Sequence, residues 1–416
     1  MIFDPGRKVR MGVIGLGGRG CGQMSTLLDM EDVDIVAVCD VYPDRVEKGQ
    51  KIVFDKRGIT PFGTTCYEEL LARDDLEAVM ITSSWQTHAR IATAALRAGK
   101  HVATEVGGAS SLEECWAMVR ASEETGLNCM MLENCCYDRV EMQVLNMIKK
   151  GLFGEVVHCE GGYEHDLRDE ITFGEQNRHY RLRNYIGRNC ENYPTHELGP
   201  ICKLLRINDG NRMVKLSSFS SKSRGLHAFV EKTQPTNEKL LNTTFKQGDV
   251  VNTVITCANG ETILLTLDTS LPRSYCRDFT VEGTKGMYSE ESRALYLEFE
   301  KQDENGKTVL DGQFRNAEEY KNKYASPLWA DREQLLTHGH GGMDALTLRA
   351  CVNCFKDGSY PPIDVYDAVA FMCITALSEI SIANGNMPVD IPDFTRGRWM
   401  KREHKAVGPF ALDVQD

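Results

Sequence analysis

The stretch Val9–Gly20, VRMGVIGLGGRG, limits the folds open to this chain more than any other. Val9, Met11, Val13 and Ile14 form a short apolar run suited to a buried parallel strand. Gly15, Gly17 and Gly20 then supply G-x-G-x-x-G where that strand must turn into a helix. Such glycines permit the tight turn, the approach of a pyrophosphate and close helix–strand packing, while the helix N-terminus faces the negative charge. A second apolar run, Ile35–Cys39, ends in Asp40 at the distance expected of the acidic residue that holds ribose hydroxyls. Asp40 would repel a 2′-phosphate, so the spacing predicts NAD rather than NADP.

With 416 residues the chain exceeds one ordinary domain. We expect an NAD-binding domain over 1–135, an α+β domain over 136–390 and a C-terminal tail over 391–416. The formal charge of −12 argues against nucleic-acid and membrane partners, which need a basic footprint. No apolar run is expected to reach transmembrane length, and MIFDPGRKVR lacks the apolar core of a signal peptide, so the expected location is the cytoplasm. Most of the 15 cysteines lie in apolar segments, where a thiol acts as a small hydrophobe. Cys351 and Cys354 form one C-x-x-C without a second pair, and no metal site is expected.

Strand-like and helical stretches alternate through the first third. Helices are expected over Pro43–Phe54, Tyr67–Ala72, His88–Ala98 and Leu112–Thr125, with strands at Ala78–Thr82, His101–Thr104 and Asn128–Leu132. This pattern predicts an α/β chain opening with a Rossmann doubly wound parallel sheet, its ligand crevice at the carboxyl ends of the strands. Three of those ends carry polar groups: Ser83 to His88, then Glu105 and Val106, then Glu133 and Asn134. Trp85 suits the nicotinamide end, Glu105 and Asn134 suit cofactor or sugar positioning, and His88 suits helix capping as well as chemistry.

After the helix Val140–Lys150 the character changes. Val156–Tyr163, Met213–Ser221, Val250–Cys257, Glu261–Leu267 and Phe279–Glu282 predict an α+β domain with a large, mainly antiparallel open sheet. Asn259-Gly260 marks a hairpin. Glu231–Lys239 and Lys301–Lys323 read as polar surface excursions, and late helices are expected at Met343–Phe355 and Val365–Ala383. Tyrosines, histidines and arginines concentrate in GGYEHDLR (Gly161–Arg168), RHYRLRNYIGR (Arg178–Arg188) and NYPTHELGP (Asn192–Pro200). Flat phenols and the five-donor guanidinium fork suit a sugar or a carboxylate. Ser218 and Ser221 lack the histidine and acid of a nucleophilic triad.

These segments resemble the superfamily of glucose–fructose oxidoreductase and inositol dehydrogenase, and within it glycoside hydrolase family 109, the NAD-dependent alpha-N-acetylgalactosaminidases. The resemblance spans nearly the whole chain. It is carried by GLGGRG, SSWQTH (Ser83–His88), EVGGASSLEECW (Glu105–Trp116), LENCCY (Leu132–Tyr137), GGYEHDLR, YPTH (Tyr193–His196), LSSFSSKSRGLH (Leu216–His227), GHGGMD (Gly339–Asp344) and IPDFT (Ile391–Thr395). It implies cofactor contacts at Gly18, Arg19, Asp40, Trp85, Gln86, Thr87, His88, Glu105, Val106 and Asn134. It implies sugar contacts at Tyr163, Arg181, Tyr193, Pro194, Thr195, His196 and Tyr275.

The wider superfamily carries E-K-P after the strand, where this chain has Glu105-Val106-Gly107, so no lysine serves the oxidised hydroxyl. In the family mechanism NAD takes hydride from C3, a base removes the acidified C2 proton, the C1 group leaves, water adds, and the hydride returns. His196 is the expected acid–base for the C3 hydroxyl. Tyr163, with Tyr275 as the second candidate, is expected to act at C2 or C1. The expected substrate is a small-molecule or oligosaccharide glycoside, and self-association through an exposed sheet face is also expected. Two other classes stand beside this one: a net sugar oxidoreductase and a non-catalytic sugar or nucleotide sensor.

Overall fold

The computed structural model describes residues 7–329, 332, 335 and 339–412. The chain forms two compact units: Met1–Asp138 with Asp331–Cys373 and Arg402–Asp413, and Arg139–Ala330 with Ile374–Lys401 and Val414–Asp416.

The first unit alternates strand and helix: β1 (Val9–Ile14), α1 (Gly18–Leu28), β2 (Val33–Cys39), α2 (Pro43–Arg57), β3 (Phe62–Thr64), α3 (Tyr67–Leu71), β4 (Ala78–Ile81), α4 (Trp85–Arg97), β5 (His101–Thr104), α5 (Leu112–Thr125) and β6 (Cys129–Met131). The strands form one parallel sheet in the order β3-β2-β1-β4-β5-β6. Val13, Val79, Met80, Val102 and Ala103 are completely buried, as befits strands covered on both faces. Strand order reverses between β1 and β4, and such a switch point opens a crevice at the strand ends. The helix expected from His88 begins three residues earlier, at Trp85 after the N-cap Ser84, so Trp85 to His88 form its first turn.

The second unit opens with α6 (Arg139–Lys149) and β7 (Val156–Glu164), followed by α7 (Arg168–Thr172), α8 (Arg181–Gly187), α9 (Thr195–Leu204), β8 (Met213–Ser220), α10 (Gly225–Thr233) and α11 (Glu238–Leu241). Next come β9 (Val250–Cys257), β10 (Thr262–Asp268), β11 (Thr280–Gly283), β12 (Gly286–Ser289), β13 (Ala294–Gln302), β14 (Thr308–Asn316) and α12 (Lys321–Tyr324). Helices α13 (Met343–Asp357) and α14 (Val365–Ala383) and strand β15 (Val389–Asp390) complete the regular elements. Of these late elements, α13 belongs to the first unit and β15 to the second.

Nine strands make one sheet, β14-β13-β12-β11-β7-β10-β9-β8-β15. Every pairing is antiparallel except β7 with β10. The β9–β10 hairpin turns at Asn259-Gly260, where Gly260 takes a φ of 104°.

Two expectations are corrected. Much of Lys301–Lys323 is not an excursion: β13 and β14 form a hairpin there. Its tip is polar because Asp303 accepts from the Asn305 and Lys307 amides, both at 2.9 Å, with Gly306 left-handed. The apolar stretch Val365–Ala383 does form one helix long and apolar enough to cross a membrane, contrary to expectation. It is 78% buried within the protein, as a core helix is.

Candidate active site

In the first unit the glycine turn is built by close packing. Gly15 has a φ of 102°, and a Cβ there would lie 2.6 Å from the Ser83 nitrogen. A Cβ on Gly20 would collide with the Gly15 carbonyl, whereas Gly18 has open space around its Cα. Gly17 caps α1 without a side-chain bond, and the first-turn N–H groups have no intrahelical acceptors. The turn therefore fits a dinucleotide pyrophosphate on both counts, an open cradle and a helix N-terminus.

Asp40 is buried and ties the end of β2 to this turn. It accepts from the Leu16 amide at 2.7 Å and the Tyr42 amide at 3.0 Å, with Arg45 Nη1 at 3.9 Å. Trp85 is buried against Gly107, whose missing side chain leaves room for the indole. This is a physical reason for glycine in the Glu105-Val106-Gly107 run.

Gln86 is half-buried, and Thr87 donates to the Ser84 carbonyl at 2.7 Å. His88 is fully buried with Nε2 3.1 Å from the Ser83 carbonyl. Burial pushes its pKa down to about 4, so the imidazole is neutral at physiological pH. His88 thus anchors the start of α4. Glu105 accepts from Arg19 Nε at 2.9 Å and from the Val106 amide at 3.2 Å, and Asn134 is buried.

In the second unit, adjacent glycines set the geometry. A Cβ on Gly161 would sit 2.5 Å from Glu197 Cβ, so α9 lies directly on β7 at that point. This contact brings His196, next to Glu197, alongside Tyr163. The rings of Tyr163 and Tyr193 are 4.3 Å apart between centroids, and those of Tyr163 and His196 are 5.5 Å apart. Tyr193 Oη lies 3.1 Å from His196 Nε2. Buried Arg277 bonds both Glu141, at 2.6 Å, and Glu197, at 3.2 Å, and so anchors α6 and α9.

Arg181 lies over the Tyr193 and Tyr163 rings, with Cζ 5.3 Å and 5.9 Å from their centroids. Its Nε is 2.7 Å from Glu170. Burial opposes the charge, but Tyr163, Tyr180 and Glu170 hold the guanidinium pKa above its ordinary value. Tyr275 stands half-exposed, its ring centroid 6.3 Å from that of Tyr163. Pro194 and Thr195 are buried at the start of α9 and position the residues on either side of them.

Sequence reasoning did not assign His165. Its Nδ1 is 3.1 Å from Tyr163 Oη, and its ring packs edge-on to Tyr275 with centroids 5.1 Å apart. Burial and nearby Arg181 lower its pKa, leaving the imidazole neutral. Two-residue spacing from Tyr163 at the end of a strand was the available signal, since such residues share a face. Three nearby carboxylates are paired with arginines: Glu170 with Arg181, and both Glu164 and Asp268 with Arg273.

Comparison with known proteins matches residues 9–133 to the oxidoreductase family with an NAD-binding Rossmann fold, and residues 137–401 to the glycosyl hydrolase 109 C-terminal domain. NAD is therefore the cofactor. A glycosyl hydrolase family 109 protein of Solibacter usitatus is 38% identical over 410 residues, covering 96% of this chain and 91% of that protein. An alpha-N-acetylgalactosaminidase of Bacteroides fragilis is 37% identical over 418 residues, covering 96% and 95%. Among solved structures, myo-inositol 2-dehydrogenase from Lactobacillus plantarum shares the fold with a TM-score of 0.63 at 14% identity, covering 93% of this chain and 100% of that one. The chain belongs to glycosyl hydrolase family 109, as an NAD-dependent glycosidase.

Proposed function

We propose that this enzyme hydrolyses alpha-N-acetylgalactosaminides by transient oxidation of the sugar ring. The observation that carries the reading is the Tyr163–His165 and Tyr193–His196 pairing, with Oη to ring nitrogen distances of 3.1 Å in each. Glu164, Glu170 and Asp268 are paired with arginines and Glu191 is buried and bonded to the Tyr193 amide, so we assign proton transfer to phenols and imidazoles rather than to a carboxylate pair. Relatives named as alpha-N-acetylgalactosaminidases, at 35% and 37% identity, support the choice of sugar.

When bound, NAD supplies a reversible hydride acceptor for the sugar C3. His196, oriented by Tyr193, takes the C3 hydroxyl proton and later returns it. Tyr163 removes the C2 proton acidified by the neighbouring ketone, its own proton passing to neutral His165. Arg181, fixed by Glu170, stabilises the charge that develops on the C3 oxygen. The C1–O bond then breaks with the leaving oxygen taking a proton from Tyr275, water adds at C1 and gives its proton back to Tyr275, and C2 takes a proton from Tyr163, which His165 reprotonates. Tyr275 assists that departure from its half-exposed position. In the first unit, the Gly15–Gly20 turn with Gly17, Gly18 and Arg19, together with Asp40, Trp85, Gln86, Thr87, His88, Glu105, Val106 and Asn134, holds the cofactor.

We place the enzyme in the cytoplasm, supported by fifteen cysteines that all remain free. The substrate is a small glycoside or oligosaccharide. Hydrolysis of para-nitrophenyl alpha-N-acetylgalactosaminide tests the proposal. Stripping NAD should abolish release of nitrophenol, adding it back should restore it, and no NADH should accumulate in solution. Accumulation of NADH with an intact glycosidic bond would instead establish a net sugar oxidoreductase. Cofactor and sugar binding without turnover across a broad glycoside panel would establish a sensor.

A further inference from the structure

We propose that Asp344 is a positioning residue for the cofactor, a buried carboxylate that ties together three segments assigned to NAD binding. It comes from far along the chain, at the start of α13, and is 5% exposed. Arg19, in the first turn of α1, grips it with both terminal nitrogens, at 2.6 Å and 2.9 Å. Asn134, after β6, donates to the same carboxylate at 2.8 Å. Arg19 Nε also donates to Glu105, after β5, at 2.9 Å. One carboxylate thus reaches the ends of β1 and β6 directly, and the end of β5 through Arg19.

The connection into α13 is shaped to deliver this group. His340, Gly341 and Gly342 take φ values of 50°, 62° and 89°, all left-handed. A side chain at Gly342 would lie 2.6 Å from the Leu335 carbonyl, so glycine is required there on two grounds. His340 accepts the strain of a left-handed non-glycine residue and places Nδ1 2.9 Å from Asp344 Oδ2. Burial alone would push the Asp344 pKa up, yet His340 and Arg19 hold it well below the usual carboxylate range.

Charge sharpens the assignment. The single positive charge of Arg19 faces two carboxylates, Asp344 and Glu105. Its side chain therefore braces the glycine turn instead of neutralising a phosphate, a task left to the first-turn N–H groups of α1. A turn held in its binding conformation loses less freedom when ligand arrives, and so binds more tightly. A cofactor reused in place at every turnover needs that retention.

The inference rests on the proposed placement of NAD in the first unit, and is independent of the glycosidase chemistry. The test compares wild type with Asp344→Asn and His340→Ala. It measures the rate of NAD release from the loaded protein, NAD titration of the stripped protein, and melting of the stripped protein. Asp344→Asn should release NAD about tenfold faster or more, through loss of charge-assisted bonds, and should also lower the melting temperature of the stripped protein, in which the same bonds are made. His340→Ala removes an exposed ring and should give a smaller acceleration with unchanged melting. If Asp344→Asn does not fold, His340→Ala alone decides. Unchanged NAD release in the variants, with wild type binding NAD, overturns the inference alone. A wild type that binds no NAD overturns the cofactor placement and this inference together.

Discussion

Replacing Glu191 by Gln probes the framework that holds Tyr193 and His196. Glu191 is 1% exposed, and its Oε1 accepts from the Tyr193 amide at 3.3 Å. Its Oε2 has no hydrogen-bond partner among the described residues. The backbone on either side of the side chain is fixed by Ser378 and Thr375, at 2.9 Å and 2.7 Å. Burial pushes the carboxyl up to about 8 from 4.5, against the opposing effect of the Tyr193 amide. The folded protein therefore holds this proton more tightly than the unfolded chain. The linked stability is full below the unfolded value and is lost as pH rises through the folded one. Gln mimics the neutral acid and keeps the acceptor for Tyr193. The stability of Glu191→Gln relative to wild type should then rise by about 1.4 kcal/mol per pH unit between roughly pH 5 and pH 8, about 3–4 kcal/mol in all. Urea unfolding of both proteins across that range measures the difference. Turnover at neutral pH should change little. Parallel stability curves would refute the buried neutral carboxyl.

Two further substitutions address the site itself. Asp40→Ala removes the acceptor for the Leu16 and Tyr42 amides and should cost the NAD-free protein about 1–3 kcal/mol by unfolding. It should also weaken NAD binding and narrow the preference over NADP; titration of stripped protein showing neither effect would remove Asp40 from the ribose site. His196→Ala should retain the fold and bound NAD while turnover falls by at least about 100-fold. Near-native turnover, or loss of melting temperature and cofactor in step with activity, would instead mark His196 as structural.

The elements most legible in the sequence are those fixed by local chemistry. The Val9–Gly20 turn is readable because Gly15 and Gly20 answer to contacts within one strand–helix unit and its neighbouring strand. The helix Leu112–Thr125 and the strand Val250–Cys257 carry their own boundaries, Ser111 and Gly126 capping the helix. The polar tip of the β13–β14 hairpin disguised two strands, since its Asp-Glu-Asn-Gly composition resembles a solvated loop. In the site, Tyr163, Arg181, Tyr193 and His196 stood out as dense polar aromatics and cations. Their neighbour His165 lay in the same stretch as Tyr163, and Glu170 and Glu191 just outside these stretches, but the roles of all three follow from the partners that the fold gives them: Tyr163, Arg181 and the Tyr193 amide. Asp344 was less accessible still, because 325 positions separate it from the Arg19 it grips. Periodicity carries no signal for a pairing of that range.

The central claim is that the glycosidic bond breaks through a sugar oxidised at C3 and deprotonated at C2. Hydrolysis of para-nitrophenyl alpha-N-acetylgalactosaminide in heavy water, with the released sugar analysed by NMR, tests it most directly. The account predicts deuterium at C2 of the product, because that proton leaves to Tyr163 and is replaced from solvent. A C2-deuterated substrate should also react more slowly, which covers a base that returns the same proton. Hydrolysis with neither exchange nor a rate effect, continuing after NAD is removed, would contradict the account.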